Sequence, residues 1–100
     1  MAVEHMVWIR FHDDISDERR QAHLDGLRGL ARHVPGIERV VVGENFTDRA
    51  QGFTHGLLVR LTDRQALATY QDHPAHVAVA APLKEDADLM AMDIETDQPA

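Results

Sequence analysis

Apolar and polar residues alternate from Glu4 to His12, with His5, Val7, Ile9 and Phe11 on one side and Met6, Trp8, Arg10 and His12 on the other. A period of two, carried by β-branched and aromatic side chains, predicts a strand with one apolar and one mixed face. Asp13-Asp14 ends it. Ser16 then stands as a helix N-cap ahead of Asp17 and Glu18, acids that suit the positive end of the helix dipole. Leu24, Leu27, Leu30, Ala31 and Val34 recur at helical spacing, so an amphipathic helix is expected to about His33, stopped by Pro35-Gly36. Gly26 and Gly29 each weaken it by about 1 kcal/mol relative to alanine and leave room for another element to come close.

Ile37 to Val42 is a β-branched run ending at Gly43, a second strand. Glu44 to Gly52 is polar and loop-like. Phe53 to Leu61 alternates again and places Phe53, His55, Leu57, Val59 and Leu61 on one face, a third strand. Thr62 or Asp63 caps a second helix bearing Ala66, Leu67 and Tyr70. His73-Pro74 interrupts it, because a residue before proline avoids the helical region, and Pro74 opens a further short helix through Ala80. Leu89 to Ile94 alternates as a last strand. The order βαββαβ predicts an α+β ferredoxin-like plait, an antiparallel sheet with helices on one face. One domain is expected over residues 1–97, with 98–100 a disordered tail. Large residues occupy both faces of these strands, so the uncovered face predicts a homodimer closed into an α/β barrel.

The chain has 100 residues, 44% hydrophobic and 27% charged, and no cysteine. That composition suits one globular core and excludes a disulfide framework, a thiolate metal site or a cysteine nucleophile. No segment reads as a secretory signal or membrane span, so a soluble, cytoplasmic protein is expected. A net charge of −7, with arginines scattered, argues against nucleic acid and anionic membranes as partners.

Seven histidines carry the candidate chemistry. His5 and His55 lie on the apolar faces of the first and third strands, while His73 and His76 bracket Pro74-Ala75, one turn after Tyr70. Converging between sheet and helices, they would suit proton abstraction beside a carbonyl, aldol-type cyclisation or isomerisation, with a phenol donating to the developing oxyanion. The bland alternatives are buried histidines satisfied by neighbours at positions 5 and 55, a turn-forming cap at His73, and Tyr70 as core. His12, His23 and His33 read as solvated surface. His73-x-x-His76 with His5 and His55 could also be drawn as a histidine metal shell, against which Pro74 sits inside the pair.

The Gly52-Phe53-Thr54-His55-Gly56 block, Tyr70-Gln71-Asp72-His73-Pro74-Ala75-His76-Val77 and Asp93 together resemble the stress-responsive A/B barrel (Dabb) domain family, over about His5 to Asp93. Within that family the chain is similar to olivetolic acid cyclase-like proteins. The resemblance implies a ferredoxin-like protomer that dimerises, and a cofactor-free polyketide cyclase or lyase in which His76 is the general base and Tyr70 holds the substrate oxygen. It places His5, His55, His73, Leu24, Leu27 and Val59 as substrate-binding or supporting positions. It also implies, in some relatives, a magnesium ion on backbone carbonyls, here those of Ala31, Val34 and Ile37. Where the cyclase has bulky pocket aromatics on its first helix, this chain has Leu24 and Leu27, and Lys84 to Leu89 carries no aromatic. A small carbonyl or polyketide-like ligand is therefore expected. A non-catalytic stress-response or ligand-binding protein and a barrel-type monooxygenase stand as alternatives.

Protonating all seven histidines would move the net charge from −7 to 0. Solubility is predicted to fall as the pH drops toward about 5–6; a turbidity titration that stays flat across that window contradicts it.

Overall fold

The structure, a computed structural model, describes residues 1–99. Its elements are β1 (Ala2–Phe11), α1 (Asp17–Arg28), a 3-10 turn (Gly29–Arg32), β2 (Ile37–Glu44), β3 (His55–Leu61), α2 (Arg64–Asp72), α3 (Pro74–Asp86) and β4 (Ala87–Thr96). The four strands form one sheet in the order β2-β3-β1-β4, every neighbouring pair antiparallel. This is the expected ferredoxin-like α+β plait. No helix among the described residues is long and apolar enough to cross a membrane.

The local rules act where the sequence pattern places them. Ser16 accepts from Arg19 N at 3.2 Å and starts α1. Asp63, rather than Thr62, caps α2 by accepting from Ala66 N at 2.8 Å. Helix α1 ends at Arg28, earlier than expected, because the chain tightens into the 3-10 turn at Gly29. Helix α3 runs past Ala80 to Asp86 in spite of Pro82. Proline removes one helical hydrogen bond and crowds the preceding turn, but the end of α3 is anchored by buried Leu83 and by Asp86, which pairs with α1. Strand β4 is longer than Leu89 to Ile94 because all ten residues pair with β1, from Phe11 opposite Ala87 to Ala2 opposite Thr96. Strand β3 starts two residues late, since Thr54 N and Oγ1 both bond to Ile9 O in the loop. After β4, Gln98 is tied to Arg60 through its carbonyl at 2.6 Å; of the expected tail, Ala100 lies outside the described residues.

One face of the sheet carries Val3, Ile9, Phe11, Leu57, Val59 and Leu61 into a core closed by Leu24, Leu27, Leu30, Val34, Tyr70 and Leu83. At Gly26 a Cβ would stand 3.3 Å from Val79, so the glycine lets α1 and α3 pass closely. The opposite face has no helix over it. Val41, Leu58, Met90, Met92 and Ile94 stand on it 42–54% exposed.

Gly36 joins the 3-10 turn to β2 with φ at +90°, and a Cβ there would lie 2.7 Å from the Cβ of Ala66. Gly36→Ala is therefore predicted to lower stability by about 1–3 kcal/mol, read by chemical denaturation. Gly43→Ala, at a negative-φ position with open space around it, is the control; equal effects of the two would contradict the account.

Candidate active site

The interruption between α2 and α3 builds the site. Pro74 forces His73 into an extended conformation, φ −65° and ψ 134°, and the His73 Nδ1 accepts from Ala75 N at 3.1 Å, capping α3. The chain thus doubles back within three residues. His76, in the first turn of α3, returns over the last turn of α2, where its Nδ1 donates to Gln71 O at 3.2 Å. Its ring centroid lies 4.2 Å from that of Tyr70, tilted by 39°. Strand β1 brings His5 edge-on to Tyr70, 5.5 Å between centroids. His5 donates from Nδ1 to Asp93 Oδ1 on β4 at 2.5 Å, its register neighbour. Four side chains from four elements are therefore linked in succession: Asp93, His5, Tyr70, His76.

Their protonation follows from burial. Desolvation lowers the pKa of His76, with His5 and Lys84 adding to the effect and the Gln71 hydrogen bond opposing it. The ring is thus neutral at pH 7, and with Nδ1–H given to Gln71 its Nε2 keeps the lone pair a base requires. Tyr70 is only 1% exposed. Burial, reinforced by the charge of Asp93, pushes its pKa up to about 12. It stays a protonated donor, suited to a developing oxyanion.

The other expected residues are placed elsewhere. His55 pairs with Ile9, four positions along β1 from His5, or about 13 Å at ~3.3 Å per residue. Its Nδ1 donates to Thr54 Oγ1 at 2.9 Å, which in turn donates to Ile9 O, and its ring meets Phe11 edge-on. Burial lowers its pKa, with Arg20 and Arg28 adding and Glu44 opposing. It lines a polar cavity of about 680 Å³ with Asp13, Asp17, Arg20 and Asp48. So the four histidines do not converge on one hollow. His73 is a helix cap. Leu24, Leu27 and Val59, at 4%, 3% and 0% exposure, are core packing. Three surface cavities stand out, and neither Tyr70 nor His76 lines any of them.

No group of three or more His, Asp or Glu side chains able to hold a metal occurs among the described residues. The histidine shell fails because His73 spends its Nδ1 on capping and His55 stands at the far end of β3. Ala31, Val34 and Ile37 belong to the 3-10 turn, the loop after it and the first position of β2. A hard cation takes oxygen ligands; the carboxylate next in sequence, Glu38, accepts from Arg60 Nε at 3.2 Å.

Two groups were not singled out from the sequence as site or core chemistry. Asp93, one of the residues that carry the family resemblance but given no role from it, sits one strand beyond His5, where the strand period puts it on the helix face. His23 is not solvated: it is buried and donates from Nε2 to Asp86 at 2.6 Å, while Arg19 grips the same carboxylate from outside. Those hydrogen bonds hold Asp86 below the usual carboxylate range, that of His23 foremost. The turn position of His23, one before Leu24 and four before Leu27, faces it inward.

Comparison with known proteins places this geometry. A family model described as the stress responsive A/B barrel domain matches residues 3–96. Olivetolic acid cyclase of Cannabis sativa is 28% identical over 79 residues, 77% of this chain and 78% of that protein. Among solved structures, At3g17210 from Arabidopsis thaliana superposes with a TM-score of 0.86 at 24% identity, covering 98% of each chain. A dimeric ferredoxin-like protein of unknown function from Jannaschia sp. gives 0.84 at 24% identity, covering 96% of this chain and 100% of that one.

Because His76 and His55 bind fewer protons folded than unfolded, their contribution to stability is full above the ordinary value of 6.5 and is lost as the pH falls through their lower folded values. Imidazole NMR is predicted to show His76 titrating below 6.5 with the proton on Nδ1 at pH 7. Titration above 6.5, or a proton on Nε2, would overturn the assignment.

Proposed function

The chain belongs to the stress responsive A/B barrel domain family, and from that premise we propose that it is a homodimeric, cofactor-free acid–base catalyst acting on a small carbonyl compound. The observation that carries the reading is the contact between a neutral His76, its Nδ1–H committed to Gln71 O, and a buried Tyr70 that stays protonated. His76 Nε2 takes a proton from the carbon beside the carbonyl. The electron pair moves onto the carbonyl oxygen as an enolate, which accepts a hydrogen bond from the Tyr70 hydroxyl. The enolate carbon then attacks a second carbonyl in the same molecule, an aldol closure whose new alkoxide takes the proton back from the imidazolium, or the imidazolium returns that proton to a different carbon of a conjugated enolate, an isomerisation. The Asp93–His5 pair packs edge-on against the Tyr70 ring. Every step uses side chains of this chain.

The similarity to olivetolic acid cyclase supports a cyclase-like reaction. Leu24, Leu27 and Val59 are packed into the core, which supports a compact substrate rather than a long one. The partial exposure of His76 supports a compact ketone or short polyketide as the substrate class. The dimeric relative from Jannaschia and the apolar sheet face support the homodimer. One observation favours a second reading, a non-catalytic binding or stress-response protein: no cavity that stands out reaches Tyr70 or His76.

Deuterium incorporation into phenylacetone, a compact ketone with a slowly exchanging methylene, separates the two. The wild type is predicted to accelerate exchange over buffer, with the rate falling below pH 6.5 as His76 takes up a proton. His76→Ala should lose on the order of 10²–10⁴-fold while keeping its melting temperature, and Tyr70→Phe should lose less. No acceleration by the wild type, together with a His76→Ala variant destabilised by about 1–3 kcal/mol, would establish the structural reading.

A further inference from the structure

Strand register sets Val3 and His5 of β1 beside Glu95 and Asp93 of β4 on the helix-covered face of the sheet. Helix α2 packs on β1 and carries Arg64 and Leu67 one after the other in the turns that lead to Tyr70. Strand β4 is the last of the sheet. Between it and α2, at the sheet edge, lies a hollow of about 290 Å³ lined by Val3, Arg64, Leu67, Asp93, Ile94 and Glu95. Buried Val3 and half-buried Leu67 make its inner wall apolar. The Arg64–Glu95 ion pair bridges α2 and β4, and the exposure of Arg64 puts that pair at the outer rim.

The hydrogen-bonding capacity of this wall is one-sided. Arg64, the one donor side chain at the hollow, is paired with Glu95. Asp93 gives Oδ1 to His5, while its Oδ2 bonds to no described residue and its side chain is partly exposed. An apolar cleft with a single placed polar group is the usual form of a small-molecule site. Two carboxylates against one guanidinium repel an anion. A cation would lose its hydration against Val3 and Leu67, which is costly. A neutral molecule meets neither penalty. We propose that this hollow binds a small neutral molecule with an apolar body and a hydroxyl group, the body against Val3 and Leu67 and the hydroxyl donating to Asp93 Oδ2. The site goes beyond the proposed reaction, since neither Tyr70 nor His76 lines it. Its link to them is the hydrogen bond between Asp93 and His5.

Benzyl alcohol and benzyl methyl ether share a ring and differ in the donor. Methyl and imidazole NMR titrations are predicted to show benzyl alcohol shifting the Val3, Leu67 and His5 signals together. The ether, which leaves the acceptor unmet, should bind about tenfold or more weakly, and benzoate should not bind. Leu67→Phe, which fills the hollow, should weaken the alcohol by about tenfold or more. Asp93→Val should bring the alcohol down to the affinity of the ether. Equal affinities of alcohol and ether, binding of benzoate, shifts confined to Met6 and Leu58 on the other face, or no shifts at millimolar alcohol would each overturn the proposal, whatever the outcome of ketone exchange. The comparison of alcohol with ether on the wild type needs no substitution, so it decides the matter even if a variant fails to fold.

Discussion

The candidate chemistry depends on one backbone constraint, the exclusion of His73 from the helical region by the proline that follows it. A continuous helix from Arg64 to Asp86 would carry Tyr70 and His76 six residues apart, on different turns and different sides. The break at His73 instead lets α3 start afresh, and its first turn folds back so that the His76 ring lies over Tyr70 and its Nδ1 reaches Gln71 O. One residue does both jobs, since His73 stops α2 and caps α3 with its own imidazole. The acid–base pair is thus a product of local chain geometry, and the sheet adds His5 and Asp93 beneath it.

The fold was legible because its signals are local. Alternation in β1 and β3, the Ser16 cap and the Pro35-Gly36 and His73-Pro74 breaks each act within a few residues, and their order leaves few topologies. Pairing over distance was less legible. The length of β4 follows from its partner β1, and the reach of α3 past Pro82 follows from Asp86 meeting His23 and Arg19 on another helix. Neither partner is near in sequence. The same limit applies to the site. The Tyr70–His76 contact is within one helical break and was readable. The separation of His55 from His5 depends on register between β1 and β3, which a shared apolar face does not reveal.

Burial sets both the strength and the limit of the site. Tyr70, enclosed at 1% exposure, gains a pKa near 12 and remains a donor across the physiological range. His76, less enclosed, is kept neutral but in contact with solvent. The leucines of α1 fill the core beside them, at 3–4% exposure. Tyr70 and His76 thus stand in contact beside a filled interior, with His76 the more exposed of the two. The uncovered sheet face lies on the opposite side of the sheet from Tyr70 and His76.

The central claim is that His76 and Tyr70 act on one proton transfer as a coupled pair. A double-mutant cycle on ketone deuterium exchange tests it most directly. The account predicts strong non-additivity, with His76→Ala/Tyr70→Phe scarcely slower than His76→Ala alone, because a stabilised enolate oxygen has no value where no proton is removed. Independent, multiplying losses from the two substitutions would contradict it.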